Sequence, residues 1–382
     1  MKYALGNMLN GAGGLNPDGL SLDLQFAADK TLTARKGPTP VFTRASSGTF
    51  VGSDGLIQSA GNNEPRFDHD PVTLACKGLL IEESRTNLLT NSNFVGWSSG
   101  GSITVTPNSV DVGVAPDGSY PTKIECAVTG NFQLGIPVIS GVTYNNSVYA
   151  RSLSGGVNIR IGGIISGVVS TFNTTNQFAR YSHVNTAAAT TTRFLLIAMN
   201  AGETIYVWGA QAEAGAFPTS YIPTTTSALA RSADVCSITG TNFTGMYNQP
   251  EGTLFADARV ETAARSANGF LASLYGAVNT EFALRIFGIG NQVIVRDGTA
   301  RDFTVGVNAT NMKVAAAYSS LNNVASMNGG GIATGTAYSL PAMTALSIGL
   351  RTGNTQQVNG TISAIRYYKK RLSNQKIQAL TA

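Results

Sequence analysis

Ionisable side chains that could do chemistry are concentrated in one stretch of the chain, residues 42–94. They are Glu64, Arg66, Asp68, His69, Asp70, Glu82, Glu83 and Arg85. Side chains of these types could form a pair of catalytic carboxylates, a histidine site for a metal ion or for proton transfer, or a set of ion pairs that holds turns together. Their spacing distinguishes between these three uses.

Glu82 and Glu83 are adjacent and are the first candidates for a glycosidase pair. Glycosidases hold two carboxylates roughly 5 to 10 Å apart across the bond that they break. Adjacent residues of an extended chain point to opposite sides, and Arg85 is close enough in sequence to pair with one of the two. We therefore predict that these two carboxylates are structural.

His69 lies between Asp68 and Asp70, and the chain has only one other histidine, His183. A metal site of histidines at helical spacing is therefore excluded. A bound calcium ion stays open, because oxygen ligands abound although no EF-hand loop is present. We predict a structural network, with no catalytic residue, metal ligand or cofactor, made of Arg66, Asp68, His69, Asp70, Glu82, Glu83 and Arg85.

The stretch that carries these residues is rich in turn formers. Ser53-Asp54-Gly55, Gly61-Asn62-Asn63 and Asp70-Pro71 follow one another at short intervals. Asp-Gly and Asn-rich steps supply positive φ angles, and proline ends any helix, so only short extended pieces fit between them. The N-terminal part is therefore predicted to be a loop-rich adaptor whose charged side chains pin turns to one another.

Composition predicts an all-β protein. At 382 residues the chain is too long for one typical core, so two or three domains are expected. Hydrophobic residues make up 43%, charged residues only 12%, and 43 residues are glycine, which suits short strands, tight turns and polar faces of Thr and Asn. The predicted units are residues 1–92, 93–225 and 226–382.

The middle unit shows the period-two alternation of strands, as in Val157-Asn158-Ile159-Arg160-Ile161. Several such segments separated by polar turns predict a β-sandwich of the jelly-roll kind. Sugar binding needs exposed aromatic rings that stack on a pyranose. The candidate rings are Trp97, Tyr149, Tyr206, Trp208 and, in the last unit, Tyr318. The alternative is that these rings fill the cores.

The last unit contains a second set of strands and one helix. The helix is predicted near the C-terminus, because Ser373 can cap it and Ile377 and Leu380 give it an apolar stripe. Residues 226–382 hold 13 Lys and Arg against 7 Asp and Glu. That excess fits an anionic partner, although scattered solvated arginines are the preferred explanation, and no basic helix indicates nucleic-acid binding.

Three blocks of sequence resemble a known family. The first contains FTRAS, DGLI, NEPRFDHDP and GLLIEESRTNLL, the second is YVWGAQAEAGAFPTSYIPT from Tyr206 to Thr224, and the third is GTISAIRYYKKRLSNQKIQALT from Gly360 to Thr381. They are similar to segments of tailed-bacteriophage virion proteins of the head spike, head fibre or tail fibre type. The second block resembles the exit of a carbohydrate-binding jelly roll, and the third resembles the closing element of concanavalin-like, laminin-G-type sandwiches.

The resemblance implies a place, the surface of a phage particle, and no catalytic chemistry. The partners it implies are capsid, collar or tail proteins, further copies of the chain in a homotrimer, and host-surface polysaccharide. The expected location is the virion after assembly in the host cytoplasm, because no apolar run is long enough to cross a membrane and no secretory signal is recognisable.

Two other functions remain open. The chain could be a capsid or tail decoration protein that binds no sugar, or a depolymerase of capsular polysaccharide. Depolymerase tailspikes usually contain a long β-helix of regular coils, and this sequence has no such repeat. The preferred hypothesis is a non-enzymatic structural protein of a tailed-phage virion that displays lectin-like domains.

Overall fold

The computed structural model describes residues 18–162, 169–260, 268–276, 280–288, 292–298, 302–307, 309–320, 322–335, 340–351, 353 and 355–382. Strands account for 51% of the described residues and helices for 6%, which confirms the predicted all-β class. The N-terminal 17 residues, which are the first part of the predicted adaptor unit, lie outside the described residues.

The first part of the chain is made of very short elements, as its turn formers predict. They are β1 Leu20–Leu24, α1 Phe26–Asp29, β2 Val41–Thr43, β3 Gly48–Val51, β4 Ile57–Ala60, β5 Phe67–His69, β6 Cys76–Ile81 and β7 Arg85–Asn87. Strands β3 and β4 form a hairpin that turns at Gly55, whose φ of +80° only glycine adopts without strain.

The middle of the chain is a jelly-roll sandwich of two five-stranded antiparallel sheets. Its strands are β8 Ser98–Gly100, β9 Ile103–Thr106, β10 Thr122–Cys126, β11 Gly130–Val138, β12 Thr143–Arg151, β13 Asn158–Gly162, β14 Val169–Asn173, β15 Ala179–Thr186, β16 Thr191–Met199 and β17 Glu203–Ala214. The sheets have the orders β15-β12-β17-β10-β9 and β14-β13-β16-β11-β8. Apolar side chains of alternating residues meet between them, as the period-two pattern requires.

Strand β17 changes phase at a β-bulge. Ile205 and Val207 point into the core before Gly209, and Ala210 and Ala212 do so after it. Gly209 has a φ of +62° and adds the extra residue. The face of β17 opposite the core therefore carries Tyr206, Trp208, Gln211 and Glu213.

The last part of the chain forms a concanavalin-like sandwich. Its elements are β18 Leu229–Arg231, β19 Val235–Thr239, α2 Gly240–Met246, β20 Glu251–Val260, β21 Gly269–Tyr275, β22 Glu281–Phe287, β23 Gln292–Gly298, β24 Asp302–Val307, β25 Asn311–Ser319, β26 Asn323–Met327, β27 Ala333–Gly335, β28 Ala345–Ile348, β29 Gly360–Tyr368 and α3 Asn374–Thr381. Apolar residues of both sheets, such as Leu254, Phe282 and Leu346, fill the space between them.

Strands from the first 92 residues complete both sheets of this sandwich. The larger sheet has the order β27-β26-β25-β20-β29-β6-β5, with β1 also pairing with β29. The smaller has the order β2-β19-β28-β21-β22-β23-β24. The division at residue 92 stays a prediction. Backbone hydrogen bonds connect strands of the first 92 residues to both sheets of the last sandwich, so the adaptor forms part of that sandwich.

Helix α3 forms at the predicted place. The Ser373 hydroxyl caps it by accepting a hydrogen bond from the Lys376 backbone N–H, and Ile377 is fully buried against the outer face of the larger sheet. None of the helices in the described ranges combines the length and the hydropathy of a membrane span.

Candidate functional site

Charged side chains from distant segments meet in a buried network. It consists of Arg44 after β2, Arg66 before β5, Glu82 after β6, Arg231 at the end of β18 and Asp234 before β19. Arg66 Nη1 lies 2.8 Å from Glu82 Oε2, and Arg66 Nη2 lies 2.5 Å from Asp234 Oδ2. Arg44 Nη1 lies 3.1 Å from Asp234 Oδ1, and Arg231 Nη2 lies 3.5 Å from Glu82 Oε2. We call these five residues the central network.

Three guanidinium groups face two carboxylates here, and backbone carbonyls accept further N–H groups. Arg44 Nη2 donates to Gly61 O at 2.7 Å, and Arg66 Nη1 donates to Thr49 O at 2.8 Å. Buried charges are tolerated when they are paired and hydrogen-bonded in this way. The central network is therefore a joint between segments, and all its charges have partners.

The pKa shifts follow from burial and from these neighbours. Burial alone would raise the pKa of Glu82, but Arg231 and Arg66 lower it to about 2. Burial would lower the pKa of Arg66, and Asp234 and Glu82 raise it above its ordinary value. Burial lowers the pKa of Arg44, helped by the nearby charge of Arg66. Glu82 is therefore ionised at neutral pH and cannot donate a proton.

Ser220 connects the central network to the segment that leaves the middle sandwich. Its backbone N–H and its hydroxyl donate to Glu82 Oε1 and Oε2, both at 2.7 Å. Its Oγ also accepts from Arg66 Nη1 at 2.8 Å. The middle sandwich is thus tied to the first part of the chain through a serine hydroxyl and a carboxylate.

The outward face of β17 holds the same segment from the other side. We call this segment, residues 217–223, the exit segment. Gln211 Oε1 accepts from the Ile222 N–H at 2.6 Å. Glu213 accepts from the Thr219 N–H at 3.0 Å and from the Thr219 hydroxyl at 2.5 Å. Both acceptor residues are fully buried. The spacing of Gln and Glu in the WGAQAE sequence therefore serves to fold the FPTSYIP sequence back onto its own strand.

Asp68 and His69 hold the β3–β4 hairpin against β5 and β6. Asp68 Oδ1 accepts from the Val51 N–H at 2.7 Å, and its other oxygen pairs with Lys77. His69 is buried, and its Nδ1 donates to Val51 O at 3.1 Å. Asp70 binds two backbone N–H groups of the turn that follows it, at 2.9 and 3.0 Å, and these bonds lower its pKa.

Glu83 and Arg85 form a third cluster, which touches the central network where Arg231 Nη2 donates to Glu83 O at 2.8 Å. Arg85 Nη2 lies 2.5 Å from Glu83 Oε1, and its guanidinium stacks 4.9 Å from the centre of the Phe217 ring. Asn359 Nδ2 donates to Glu83 Oε2 at 3.3 Å. The seven residues predicted as one network thus occupy three clusters, and Glu82 and Glu83 point to different partners.

A cleft of about 480 Å³ opens where the three parts of the chain meet. The β3–β4 hairpin, the larger sheet of the last sandwich, the first residues of β15 and the exit segment around Thr219 all line it. Ligand sites commonly occur at such junctions. We refer to it as the junction cleft.

The floor of the junction cleft is a row of side chains across the larger sheet. Leu80 of β6 pairs with Thr361 of β29, which pairs with Arg259 of β20, so the three share one face. Thr361 is only 4% exposed, and its hydroxyl has no hydrogen-bond partner among the described residues. A buried hydroxyl without a hydrogen-bond partner lowers the stability of the fold by roughly 1 to 3 kcal/mol.

The opposite wall comes from the middle sandwich. Arg180 lies with its guanidinium 5.4 Å from the centre of the Tyr149 ring. Arg180 Nη1 donates to Thr219 O at 2.5 Å and Nη2 donates to Ser147 Oγ at 3.0 Å. Phe178 and Tyr149 are half-buried rings of this wall.

Most of the candidate sugar-binding rings lie in the protein interior. Trp97 packs on Phe94 and Phe132, with ring centres 4.9 and 5.4 Å apart, and is 8% exposed. Tyr206 and Trp208 share a strand face, but Asp111 and Ala115, which precede β10, and Tyr221 cover that face, and both rings are buried. A stacking platform needs a ring face in solvent, so these three rings do not provide one.

The remaining two candidates differ. Tyr318 is buried in the last sandwich, where its hydroxyl donates to Asn248 O at 2.6 Å. Tyr149 lines the junction cleft. Of the five rings, Tyr149 alone is placed where a ligand could reach it; a sugar-binding role for it stays a prediction. In the described ranges no cluster of three or more His, Cys, Asp or Glu could hold a metal ion.

Comparisons with known proteins give distant similarities. No model of a protein family matches the chain, and no curated protein matches it. Among solved structures, Trypanosoma rangeli sialidase in complex with the inhibitor DANA is 14% identical at a TM-score of 0.32, and the match covers 39% of this chain and 26% of the sialidase. The chain therefore spans about a quarter of the length of that protein.

Two sandwich proteins match over more of the chain. The N-terminal CBM22-1–CBM22-2 tandem domain of Paenibacillus barcinonensis Xyn10C is 9% identical at a TM-score of 0.27, covering 75% of this chain and 98% of that one. Domains LG4-5 of the mouse laminin alpha1 chain are 10% identical at a TM-score of 0.23, covering 65% and 90%. These values are too low to assign a family, an activity or a ligand.

Sequence reasoning missed three members of the central network. Arg44 lies in FTRAS, and Arg231 and Asp234 lie in RSADV, near the start of the predicted unit 226–382. The available signal was the placement of isolated charged residues in otherwise apolar surroundings, because a buried position keeps a charge only when a partner is present.

Proposed function

We propose that this chain is a non-enzymatic structural protein of a tailed-phage virion, a subunit of a head spike or fibre or of a tail fibre, whose sandwiches adhere to host-surface glycans. The observation that carries the proposal is the central network. The charged residues of the blocks that resemble phage virion proteins, such as Arg66 and Glu82, are buried and paired with one another. Their role is to join segments, which is what a projecting adaptor requires.

The state of the carboxylates in the junction cleft supports a non-enzymatic role. Asp68 binds Lys77 and the Val51 N–H, and Glu82 binds Arg66 and Ser220. A glycosidase needs one carboxylic acid that keeps its proton near neutral pH. The lowered pKa of Glu82 is the opposite of that requirement.

The proposed assembly is a homotrimer that contacts capsid, collar or tail proteins, with the sandwiches directed outwards. The junction cleft supports adhesion, since it combines half-buried rings with several hydrogen-bond donors. Ligand sites for small molecules have this composition.

Immunogold labelling tests the location. Particles purified from a lysate of the phage that encodes the chain are labelled with an antibody against residues 93–382 and viewed by negative-stain electron microscopy. Labelling at one defined position on the particle is expected. Gold on free protein only, with undecorated particles, contradicts the proposal. Glycan-array binding by the full chain then separates adhesion from simple decoration.

A further inference from the structure

We infer that the junction cleft binds an acidic saccharide, one whose sugar rings carry carboxylates. The inference rests on the proposed function, because it names the class of host glycan that the chain would recognise. It also places the site between the sandwiches and not on the outer face of either one.

Arg180 supplies the first argument. Its two described hydrogen bonds go to neutral acceptors, Thr219 O and Ser147 Oγ, and its Nε is buried without a partner. No carboxylate pairs with it among the described ion pairs. A guanidinium has five N–H groups, so three remain for a ligand, and a carboxylate is the acceptor that binds two of them at once.

The other charges of the cleft do not cancel the charge of Arg180. Arg259 lies half-buried on the floor, and Lys77 pairs with Asp68 at the edge. Glu82 also lines the cleft, but the central network to which it belongs holds three arginines against two carboxylates. The local balance favours an anion.

Thr361 supplies the second, independent argument. Its hydroxyl is buried in the floor, has no partner in the described part of the chain, and lies in register beside Arg259. A ligand with hydroxyl groups can both donate to and accept from this atom. A bare inorganic anion would use the arginines and leave the rings of the cleft unused.

The rings explain why the ligand is a sugar. Phe50 of the hairpin faces the same space as Tyr149 and Phe178 of the opposite wall. The C–H faces of pyranose rings pack on such aromatic surfaces, while their hydroxyls and carboxylates meet the donors of the floor. The volume of about 480 Å³ lies in the range typical of small-ligand sites.

Isothermal titration calorimetry with two matched probes tests the inference. The probes are a short oligogalacturonate and its fully methyl-esterified form, which has the same sugar backbone but carries neutral methyl esters in place of the carboxylates. We expect the full chain to bind the charged probe and to bind the ester at least about tenfold more weakly. Equal binding of the two probes overturns the acidic assignment, and binding of neither overturns the site.

Three variants locate the binding. Thr361→Val removes one hydroxyl at constant shape and should weaken binding about tenfold while the protein becomes no less stable, because it removes an unsatisfied group. Arg180→Gln should weaken binding ~10- to 100-fold. Arg160→Gln, which removes a charge from the outer face of β13 in the other sheet, should change nothing.

The outcomes are separable from those of the virion proposal. Unchanged affinity in Thr361→Val overturns the inference even if Arg180→Gln fails to fold. If neither probe binds but the antibody still labels the particles, only the inference that the junction cleft binds an acidic saccharide is rejected. Unlabelled particles with intact probe binding reject the virion assignment alone.

Discussion

Arg66 and Asp234 lie 168 positions apart, yet their side chains form a fully buried ion pair with Nη2 2.5 Å from Oδ2. The pair joins the segment before β5 to the residue before β19, and Asp234 also holds Arg44. Replacing one partner of such a pair strongly lowers the stability of the fold, because the other charge stays buried without a partner.

Asp234→Asn therefore should lower the free energy of unfolding by about 3 to 5 kcal/mol, since it leaves Arg44 and Arg66 without their shared carboxylate. Urea unfolding followed by circular dichroism measures the change. Asp29→Asn is the matched control, because its ion pair with Arg35 is largely exposed and should contribute less than about 1 kcal/mol. Equal effects of the two substitutions would contradict the role of the central network.

Acid should destabilise the protein through Glu82. Its pKa falls from an ordinary 4.5 to about 2 in the folded state, so the ionised form stabilises the fold. That stabilisation is fully present above pH 4.5 and is lost as the pH falls through about 2, a change of roughly 3 kcal/mol. Urea midpoints at several pH values measure it. In the Glu82→Gln variant the urea midpoint should change less between pH 4.5 and about 2. If the midpoints of both proteins change equally over this range, Glu82 is not the cause of the acid destabilisation.

Gly78 should not tolerate a side chain. It has a φ of +116°, and a Cβ at this position would lie 2.2 Å from the backbone oxygen of Ile362 in β29. Gly78→Ala is therefore expected to cost at least about 3 kcal/mol, because it separates β6 from β29. Gly113→Ala is the control: its φ is +78°, but open space surrounds the added Cβ. Comparable thermal melts of the two variants would refute the close approach.

Glu213 should control the order of the exit segment. Because its carboxylate accepts both the N–H and the hydroxyl of Thr219, Glu213→Ala frees that loop. Hydrogen exchange at the Thr219 amide should accelerate ~10- to 100-fold, while the Val207 amide within β17 stays protected. Acceleration of both amides alike would instead indicate global destabilisation.

Cys236 should be inert in the folded protein. It is fully buried, and burial raises the pKa of its thiol far above the ordinary value. A thiol reagent at pH 8 should label it only after urea unfolding, whereas the half-buried Cys76 should react earlier. Mass spectrometry of the labelled peptides distinguishes the sites. Early labelling at Cys236 would mean that the smaller sheet opens readily.

Local patterns predicted much of the fold. The alternation around Val157 to Ile161, the turn at Gly55 and the Ser373 cap are all interactions between near neighbours in sequence, and each is present. The completion of the larger sheet by β1, β5 and β6 could not be predicted, because strand pairing between distant segments leaves no local signal.

The candidate rings illustrate the same limit. Tyr206 and Trp208 share a strand face, as their spacing of two requires, but spacing does not tell which face solvent reaches. Asp111, Ala115 and Tyr221 cover that face, while Tyr149 of the neighbouring strand reaches the junction cleft.

The sequence by itself determined the all-β class, the positions of the turns and the kinds of charged residue available for pairing, because these depend on local backbone preference and composition. Only the tertiary structure decided that Arg66 meets Asp234, that Glu82 meets Ser220, and that Thr361 and Arg180 face one cleft. Those contacts join residues more than a hundred positions apart, and their geometry exists only once the sheets have packed.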